Sequence, residues 1–554
     1  MDRLLVVLAM MAGALVSPAA AQTLPVMPFP SAGNGSLIID QGRADRQAAP
    51  PPIAPIALPP RADIRAAPEG VASAASLKRV RVEGSNAPIA VLERAFQSFI
   101  GRALDKDTIA AIATALSDAY GKGDAALYTI VVPQQDLGSG VLTLRVVEGY
   151  IDDVVITGDV KGRKLTLVRR YAARLAAERP LRRPVLERYL SLIRDLPGLK
   201  AEVHLLNLSV PGAVRLVLSL AQEDFHWRLA VNNRGVANLG RTQMQATLIV
   251  NGAIREGDQT QLTASMPVRV SRYQYYALSH STPLGADGLR LAANIGYLRT
   301  RPTGFPIRGE ASSAGVTLSY PLKRGYRENI NLSLGMEGLN SDNALLGQLI
   351  AQEHSRAVRA AGSWSKASEK QSLSAALTLS KGLDILGART DPRRTDLGFS
   401  KLNGQASFNR MATKVVALRL FATAQASGDR LPASEQFSMG GDLVGRAFPA
   451  GYVVGDRGYG GSAELALAGG KHWPRLLKGS EIYGFIDGGR VFTQSRYLGL
   501  LPRQRFSLAS AGGGVRFNLK EKMVLGLEAA RSIELPYPGT TPGWRFIIGW
   551  RTLR

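Results

Sequence analysis

Two residues of this chain have the types and the spacing to form an enclosed ion pair. The segment 483–492 reads YGFIDGGRVF, which predicts a β-strand. Successive side chains of a strand point to opposite faces, so Phe485, Asp487 and Gly489 share one face. A carboxylate in such apolar surroundings requires a partner. Arg446, which lies between small residues in the preceding glycine-rich loop, is the candidate partner.

Composition excludes several classes of protein. The 554 residues exceed what one core normally organises, which predicts several domains. The chain has no cysteine, so disulfides and thiolate metal sites are excluded. Its formal net charge of +24 is spread along the sequence without a basic-aromatic module. This distribution favours contact with anionic lipid or an Arg- and Lys-lined lumen, and we expect no nucleic-acid partner.

The sequence indicates neither an enzyme nor a cofactor site. We find no G-x-S-x-G elbow and no His–Asp arrangement typical of a hydrolase. The glycines 512–514 are not followed by a predicted helix, so we interpret them as a strand kink rather than a phosphate loop. The histidines lack ligand spacing, so no metal site is predicted. They are His204, His226, His280, His354 and His472.

The first 75 residues are predicted to be a leader followed by an arm. Residues 1–21 combine a charged start, an apolar run and small residues before the predicted cleavage point, which is typical of a secretory signal peptide. Residues 22–75 are rich in Pro and Ala and predict an extended linker. Within this arm, Ser36–Gln47 is a candidate short helix.

A repeat follows the arm. Residues 76–149 predict the order strand, helix, helix, strand, strand, and residues 150–224 predict the same order again. Asp105 or Asp107 is a candidate cap for one helix, and Pro184 suits the start of another. We therefore expect two consecutive α+β modules.

Residues 225–554 lose helical periodicity and alternate strictly between apolar and polar side chains. A soluble sandwich also alternates, but it does not normally continue for so long with Ser, Thr, Asn, Gln and Arg on one face. A closed barrel with an apolar exterior and a wet interior explains both features, with ~16 antiparallel transmembrane strands. The apolar sets are Met244, Ala246, Leu248, Val250; Ile330, Leu332, Leu334, Met336; Leu373, Ala375, Leu377, Leu379; and Trp544, Phe546, Ile548, Trp550.

These residues resemble a known family, the two-partner secretion outer-membrane transporters (TpsB), which include the ShlB/FhaC/HecB haemolysin secretion/activation proteins. The modules resemble POTRA domains, joined by VPQQDLGSGVLTLRVVEGYIDDVVITG. The family's Phe-x-Asp-x-Gly barrel-wall motif is matched by Phe485, Asp487 and Gly489. Its Val-Arg-Gly-Phe/Tyr motif, on a loop that folds into the barrel, is matched at about 437–458 by GRAF, which has Gly for Val and Ala for Gly. The GRAF residues are Gly445, Arg446, Ala447 and Phe448.

The resemblance implies a function without ATP, cofactor or catalysis. It implies a monomer in the bacterial outer membrane, with periplasmic POTRA domains, that exports one exoprotein bearing an N-terminal secretion domain. It also implies contact with lipid and lipopolysaccharide, a lumenal ion pair between Arg446 and Asp487, and a plug near Ser36–Gln47. An assembly insertase of the BamA or TamA type is the alternative, although such proteins usually carry more than two POTRA modules.

Overall fold

The computed structural model describes most of the chain after residue 74. The described residues are 75–160, 165–304, 306–346, 348–469, 479–519 and 522–552. The predicted signal peptide, nearly all of the arm and its candidate helix at Ser36–Gln47 lie outside the described residues. Among the helices of the described ranges, none is both long and apolar enough to cross a membrane.

The first N-terminal domain is a three-stranded sheet with two helices. Its elements are β1 (Arg79–Glu83), α1 (Ile89–Phe96), α2 (Lys106–Lys122), β2 (Tyr128–Val131) and β3 (Val141–Glu148). The strand order is β1-β3-β2, with β1 parallel and β2 antiparallel to β3. Asp105 caps α2, because its carboxylate accepts a hydrogen bond from the backbone N–H of Thr108 at 2.7 Å. Leu116, Ile130 and Leu144 are buried between helices and sheet.

The second N-terminal domain repeats this order. Its elements are β4 (Tyr150–Thr157), α3 (Thr166–Ala176), α4 (Arg183–Arg194), β5 (Leu199–Asn207) and β6 (Ala213–Gln222). The sheet order β4-β6-β5 again has one parallel and one antiparallel pair. Pro184 occupies the first turn of α4, where its missing N–H costs no helical hydrogen bond.

A closed antiparallel barrel of sixteen strands, as predicted, follows in the described residues. Its strands are β7 (Phe225–Asn232), β8 (Gln243–Asn251), β9 (Gln259–Pro267), β10 (Tyr273–Pro283), β11 (Arg290–Thr300), β12 (Ile307–Arg324), β13 (Glu328–Leu345), β14 (Gln348–Ala367), β15 (Gln371–Gly382), β16 (Ser400–Met411), β17 (Val416–Ala426), β20 (Arg457–Ala468), β21 (Glu481–Thr493), β22 (Gln504–Leu519), β23 (Met523–Glu534) and β24 (Trp544–Thr552). A two-stranded hairpin, β18 (Phe437–Met439) and β19 (Val453–Gly455), interrupts the sequence between β17 and β20.

The predicted apolar faces lie on the outside of the barrel. Leu248, Leu334 and Leu377 are exposed there by 43%, 57% and 59%, as expected for side chains that contact lipid. Because a closed barrel leaves no open sheet edge, every strand has two neighbours. The seam where the first and last strands meet is the shortest pairing, since β7 and β24 share only three paired positions among the described residues.

The interior has two different sides. On β8–β13 the inward side chains are mostly uncharged polar groups. They include Gln245, Thr247, Gln261, Thr263, Ser279, Asn294, Ser313, Thr317, Asn331 and Ser333. On β17 and β20–β24 the inward set also contains charged side chains that lie close to one another. It includes Arg419, Glu464, Glu481, Asp487, Arg516, Glu528 and Arg545.

The second domain is docked against the near end of the barrel, which we define as the end that carries the N-terminal domains. Glu256, in the turn between β8 and β9, accepts hydrogen bonds from the backbone N–H groups of Leu167 and Val168 at 2.7 and 3.0 Å, which caps α3. Arg324, at the end of β12, forms a bidentate ion pair with Asp195, with both N···O distances 2.6 Å.

A barrel residue also enters the core of the second domain. Tyr326, in the turn between β12 and β13, is 6% exposed and belongs to the apolar cluster formed by α3, α4 and the sheet. Its backbone N–H donates to Glu187 on α4 at 3.2 Å. Burial raises the pKa of its hydroxyl. These contacts fix the second domain to the barrel mouth.

Candidate functional site

The long connection between β17 and β20, residues 427–456, folds into the barrel lumen. The hairpin β18–β19 lies at its base, and its apolar side chains pack against the inner wall. Val444 and Phe448, which flank the tip, are buried together with Leu508 of β22. The loop therefore lies inside the barrel against this wall rather than extending into solvent, and it contains the segment GRAF, which the sequence singled out.

Two glycines permit the close approach of loop and wall. Gly445 has φ +80°, and a Cβ there would lie 2.8 Å from a methyl carbon of Leu508 and 3.1 Å from the Cα of Gly440. Gly445 stands where the family motif has Val, a residue that this backbone would strain. At Gly489, on β21, a Cβ would lie 2.7 Å from the sulfur of Met439 in the loop and 2.2 Å from the carbonyl oxygen of Tyr459 on the neighbouring strand β20. Both positions thus require glycine in this packing.

Arg446 points its guanidinium at three lumenal carboxylates. Its Nη1 donates to Glu464 at 2.9 Å and lies 3.5 Å from Glu528. Its Nε lies 3.8 Å from Asp487, which is a charge contact rather than a hydrogen bond. The guanidinium carbon is 4.2 Å from the centre of the Phe485 ring, within cation–π distance. With 7% of Arg446 exposed, these contacts replace its hydration.

Asp487 holds the backbone of the loop tip. Its Oδ1 accepts from the N–H of Gly445 at 2.7 Å, and its Oδ2 accepts from the N–H of Arg446 at 3.3 Å. The hydroxyl of Ser510, on β22, also donates to Oδ1. A carboxylate that accepts several such bonds stabilises the turn that supplies them. Asp487 therefore acts on the conformation of the loop as well as on the charge of Arg446.

The remaining GRAF residues are held by the same wall. The N–H of Ala447 donates to the hydroxyl of Ser510 at 3.4 Å. Arg545, on β24, donates from Nη1 to the carbonyl oxygen of Phe448 and from Nη2 to that of Arg234 at 2.8 Å. Phe448 is 4% exposed.

A second layer of charge supports Glu464. Arg516 donates to both of its carboxylate oxygens at 2.7 and 2.8 Å, and Arg419 donates to one at 2.8 Å. Both arginines also bind Glu481 of β21. Tyr483 donates its hydroxyl to Glu528 at 2.8 Å. Glu464 thus retains two cations even without the loop arginine, so this carboxylate does not depend on Arg446 alone.

The sequence expectation named Arg446 and Asp487 but omitted Glu464, Glu528 and Ser510. Glu464 shares the inward face of β20 with Ser462, and a carboxylate among apolar alternating residues is a signal that could have found it. Glu528 likewise follows inward alternation on β23. Within the described ranges, no group of three or more His, Asp or Glu side chains is placed to hold a metal ion.

Two POTRA-like domains before a sixteen-stranded barrel, with a loop folded into the lumen, define an outer-membrane transporter of the POTRA-plus-barrel class. Residues 212–517, more than half of the chain, match the family of haemolysin secretion/activation proteins ShlB/FhaC/HecB, and the chain belongs to this family. Residues 75–149 match the ShlB-type POTRA domain. The barrel therefore lies in the outer membrane and the POTRA domains in the periplasm, and the family is one of transporters.

Individual relatives are similar to this chain along most of its length. The outer membrane transporter CdiB of Escherichia coli O6:K15:H31 is 26% identical over 439 residues, which cover 73% of this chain and 71% of the relative. CdiB of Dickeya dadantii is 23% identical over 448 residues, covering 76% and 75%. The solved structure of CdiB from Escherichia coli has a TM-score of 0.72 at 18% identity, covering 96% of this chain and 100% of that chain. This last likeness concerns the fold.

Proposed function

We propose that this chain recognises one unfolded exoprotein in the periplasm and translocates it to the cell surface. Family membership supports the class of transport. The observation that carries the proposal is the inward loop, whose tip is attached to the lumenal wall through polar contacts of one arginine and two adjacent backbone N–H groups. Charge-assisted contacts of this kind hold the loop tip at one defined place on the wall while a client passes.

The POTRA domains offer edges on which an extended client can add a strand. In the described residues, β2 and β5 are each hydrogen-bonded to one neighbouring strand, so each has a free edge within its sheet. Near these edges, Leu206 on β5 and Val210 after it are 52% and 57% exposed. Backbone hydrogen bonds to the edge give affinity without demanding one sequence, which suits an unfolded client.

In this proposal Arg446 and Asp487 act together to hold the loop in its secretion-competent position. Charge-assisted hydrogen bonds of this kind contribute ~1.5–3 kcal/mol each. This is enough to shift a loop between two positions by about tenfold or more, yet small beside the stability of a closed barrel. Folding of the client outside the cell supplies the direction of transport.

The proposed partners are the exoprotein, through its N-terminal secretion domain, and the lipid and lipopolysaccharide of the outer membrane. We propose a monomer, since every strand of the described barrel has two neighbours and the barrel therefore offers no sheet edge to a second copy. The plug predicted at Ser36–Gln47 stays a prediction. Its test is single-channel conductance in planar bilayers, which should rise when residues 22–75 are deleted while secretion persists.

The function is tested by removing the chain from its host. Loss of the chain should abolish surface display of the host exoprotein that carries the N-terminal secretion domain and leave the assembly of other outer-membrane barrels unchanged. The two quantities are measured in the same cells by surface proteolysis and by heat-modifiable gel mobility of unrelated barrels. A general loss of barrels with normal display of the exoprotein would favour the insertase instead.

A further inference from the structure

Arginines cluster on the outer wall of the barrel, at its extracellular end, next to the inward loop. Arg457 begins β20 directly after the loop, and Arg505 is the second residue of β22. Both are exposed, and both stand in register with Phe492 of β21, which lies between them. Arg490, two residues before Phe492, faces the same side because side chains alternate along a strand.

The register fixes the size of the cluster. Arg457 pairs with Phe492, and Phe492 pairs with Arg505, so the two arginine Cα atoms are two strand spacings, about 10 Å, apart. Arg490 lies ~7 Å along β21 from Phe492. Arg457 covers the Phe492 ring at 5.4 Å, and the Tyr459 ring lies 6.4 Å from that ring. The cluster thus consists of three arginine positions beside two aromatic rings, with the Arg457 guanidinium in contact with one ring.

Among the described residues, no carboxylate neutralises the two outer arginines of this cluster, Arg457 and Arg505. In the part of the chain that the structure describes, neither Arg457 nor Arg505 lies within ion-pair distance of a carboxylate. A comparable position elsewhere is different, since Arg299 faces outward at the same end of β11 and lies 3.6 Å from Glu310 of β12. Two such cations about 10 Å apart on a lipid-facing wall call for an anion from the membrane.

We propose that Arg457, Arg490 and Arg505 bind a phosphate of lipid A, the phosphorylated glycolipid of the outer leaflet. Guanidinium groups bind phosphate oxygens through paired hydrogen bonds, and Phe492 and Tyr459 offer an apolar surface at interface depth. The site lies on the strands that carry the GRAF loop and the Phe-x-Asp-x-Gly motif. Bound lipid A would therefore stabilise the part of the barrel wall to which the loop attaches. This proposal does not depend on which client is exported.

The test uses the full chain in detergent and bisphosphorylated lipid A in mixed micelles, with bound lipid counted by native mass spectrometry. The wild type should retain lipid A, and Arg457→Gln with Arg505→Gln should weaken binding by about tenfold or more. The matched control is Arg299→Gln with Arg308→Gln, which removes two outward arginines from the same end and should leave binding unchanged. Normal heat-modifiable mobility establishes that each barrel is folded.

A second measurement changes the lipid instead of the protein. Lipid A stripped of both phosphates should bind the wild type as weakly as intact lipid A binds the double variant. Equal binding of intact and stripped lipid A, or of wild type and double variant, would overturn the proposal. Equal competition by phosphatidylglycerol would also overturn it, because the site would then accept any anionic phospholipid.

Discussion

Arg446 donates its shortest hydrogen bond to Glu464, at 2.9 Å, while its Nε stays 3.8 Å from Asp487. The arginine of the loop and the aspartate of the wall are therefore coupled mainly through the backbone of the loop tip. Asp487 shapes the turn that presents Arg446, and Glu464 receives the charge. Removing either Arg446 or Asp487 should therefore release the same loop tip.

The first prediction concerns this coupling. Arg446→Ala and Asp487→Ala should each leave a barrel that inserts normally and resists heat in detergent but secretes about tenfold less exoprotein, because each loses ~1.5–3 kcal/mol of loop attachment. The double variant should lose little more than either single one, since the two changes free the same loop. Secreted exoprotein is measured per assembled barrel.

The control for this cycle is Arg308→Ala, which removes an exposed arginine from the outer face of β12 and should not alter secretion. If the two single losses multiply in the double variant, the residues act independently. That result would contradict the shared loop-tip role.

The second prediction concerns the docking of the second POTRA domain. The buried hydroxyl of Tyr326 has no hydrogen-bond partner within the described residues. Tyr326→Phe should therefore keep or raise stability, by up to ~1–3 kcal/mol. Tyr326→Ala should cost ~3–5 kcal/mol by leaving a cavity between the barrel turn and the domain. Thermal unfolding and protease resistance of this domain in the full chain report the difference, and equal losses in both variants would argue against this packing.

The third prediction concerns the barrel seam. Asn233, just after β7, donates from Nδ2 to the carbonyl of Phe546 at 3.0 Å and accepts at Oδ1 from the N–H of Ile548 at 2.9 Å. These bonds lengthen a seam of three paired positions. Asn233→Ala should lower the temperature at which the barrel unfolds in detergent, by the loss of two bonds of ~1 kcal/mol each.

Heat-modifiable gel mobility measures this change. Asn238→Ala is the control, because Asn238 accepts hydrogen bonds from Thr303 at its backbone carbonyl, which the substitution keeps. An unfolding temperature unaffected by Asn233→Ala would show that the side chain does not hold the seam.

The fourth prediction is a pH dependence in the first POTRA domain. The backbone N–H of Thr108 lowers the pKa of Asp105 below its ordinary value of 3.8. A carboxyl group with a lowered folded-state pKa contributes stability above its unfolded pKa and loses that contribution as the pH falls through the folded value. Asp105→Ala should therefore unfold this domain at a lower temperature near pH 7, and the difference from wild type should shrink in acid.

Circular dichroism of the full chain follows this unfolding. Asp107→Ala changes a carboxylate in the same first turn without removing the cap, so it should stay close to wild type. A constant difference between Asp105→Ala and wild type across the acid range would exclude the charged cap as the cause.

The fold was largely predictable because its signals are local. Period-two alternation along residues 225–554 predicted the barrel and its outward faces, and Pro184 and Asp105 marked helix starts. The lumenal contacts of Arg446 were only partly predictable. Alternation predicted that Asp487 faces the lumen, but it does not reveal which strands lie side by side. Glu528 is 82 residues from Arg446 in the sequence. Arg234, which binds Glu528 at 2.9 Å, comes from the start of the barrel. Those contacts depend on the register of the closed sheet, which no local pattern specifies.

The mostly uncharged side of the lumen, on β8–β13, affects how a polypeptide would move through the barrel. Hydroxyl and amide groups exchange hydrogen bonds with water and with any peptide group at nearly equal free energy. We expect the free energy of a polypeptide to change little as it moves along this side, whatever its sequence. On the opposite side, the fixed charges of the wall would attract or repel the acidic and basic residues of a client and so slow its movement. We therefore expect an unfolded client to move along the mostly uncharged side while the charged side keeps the loop attached.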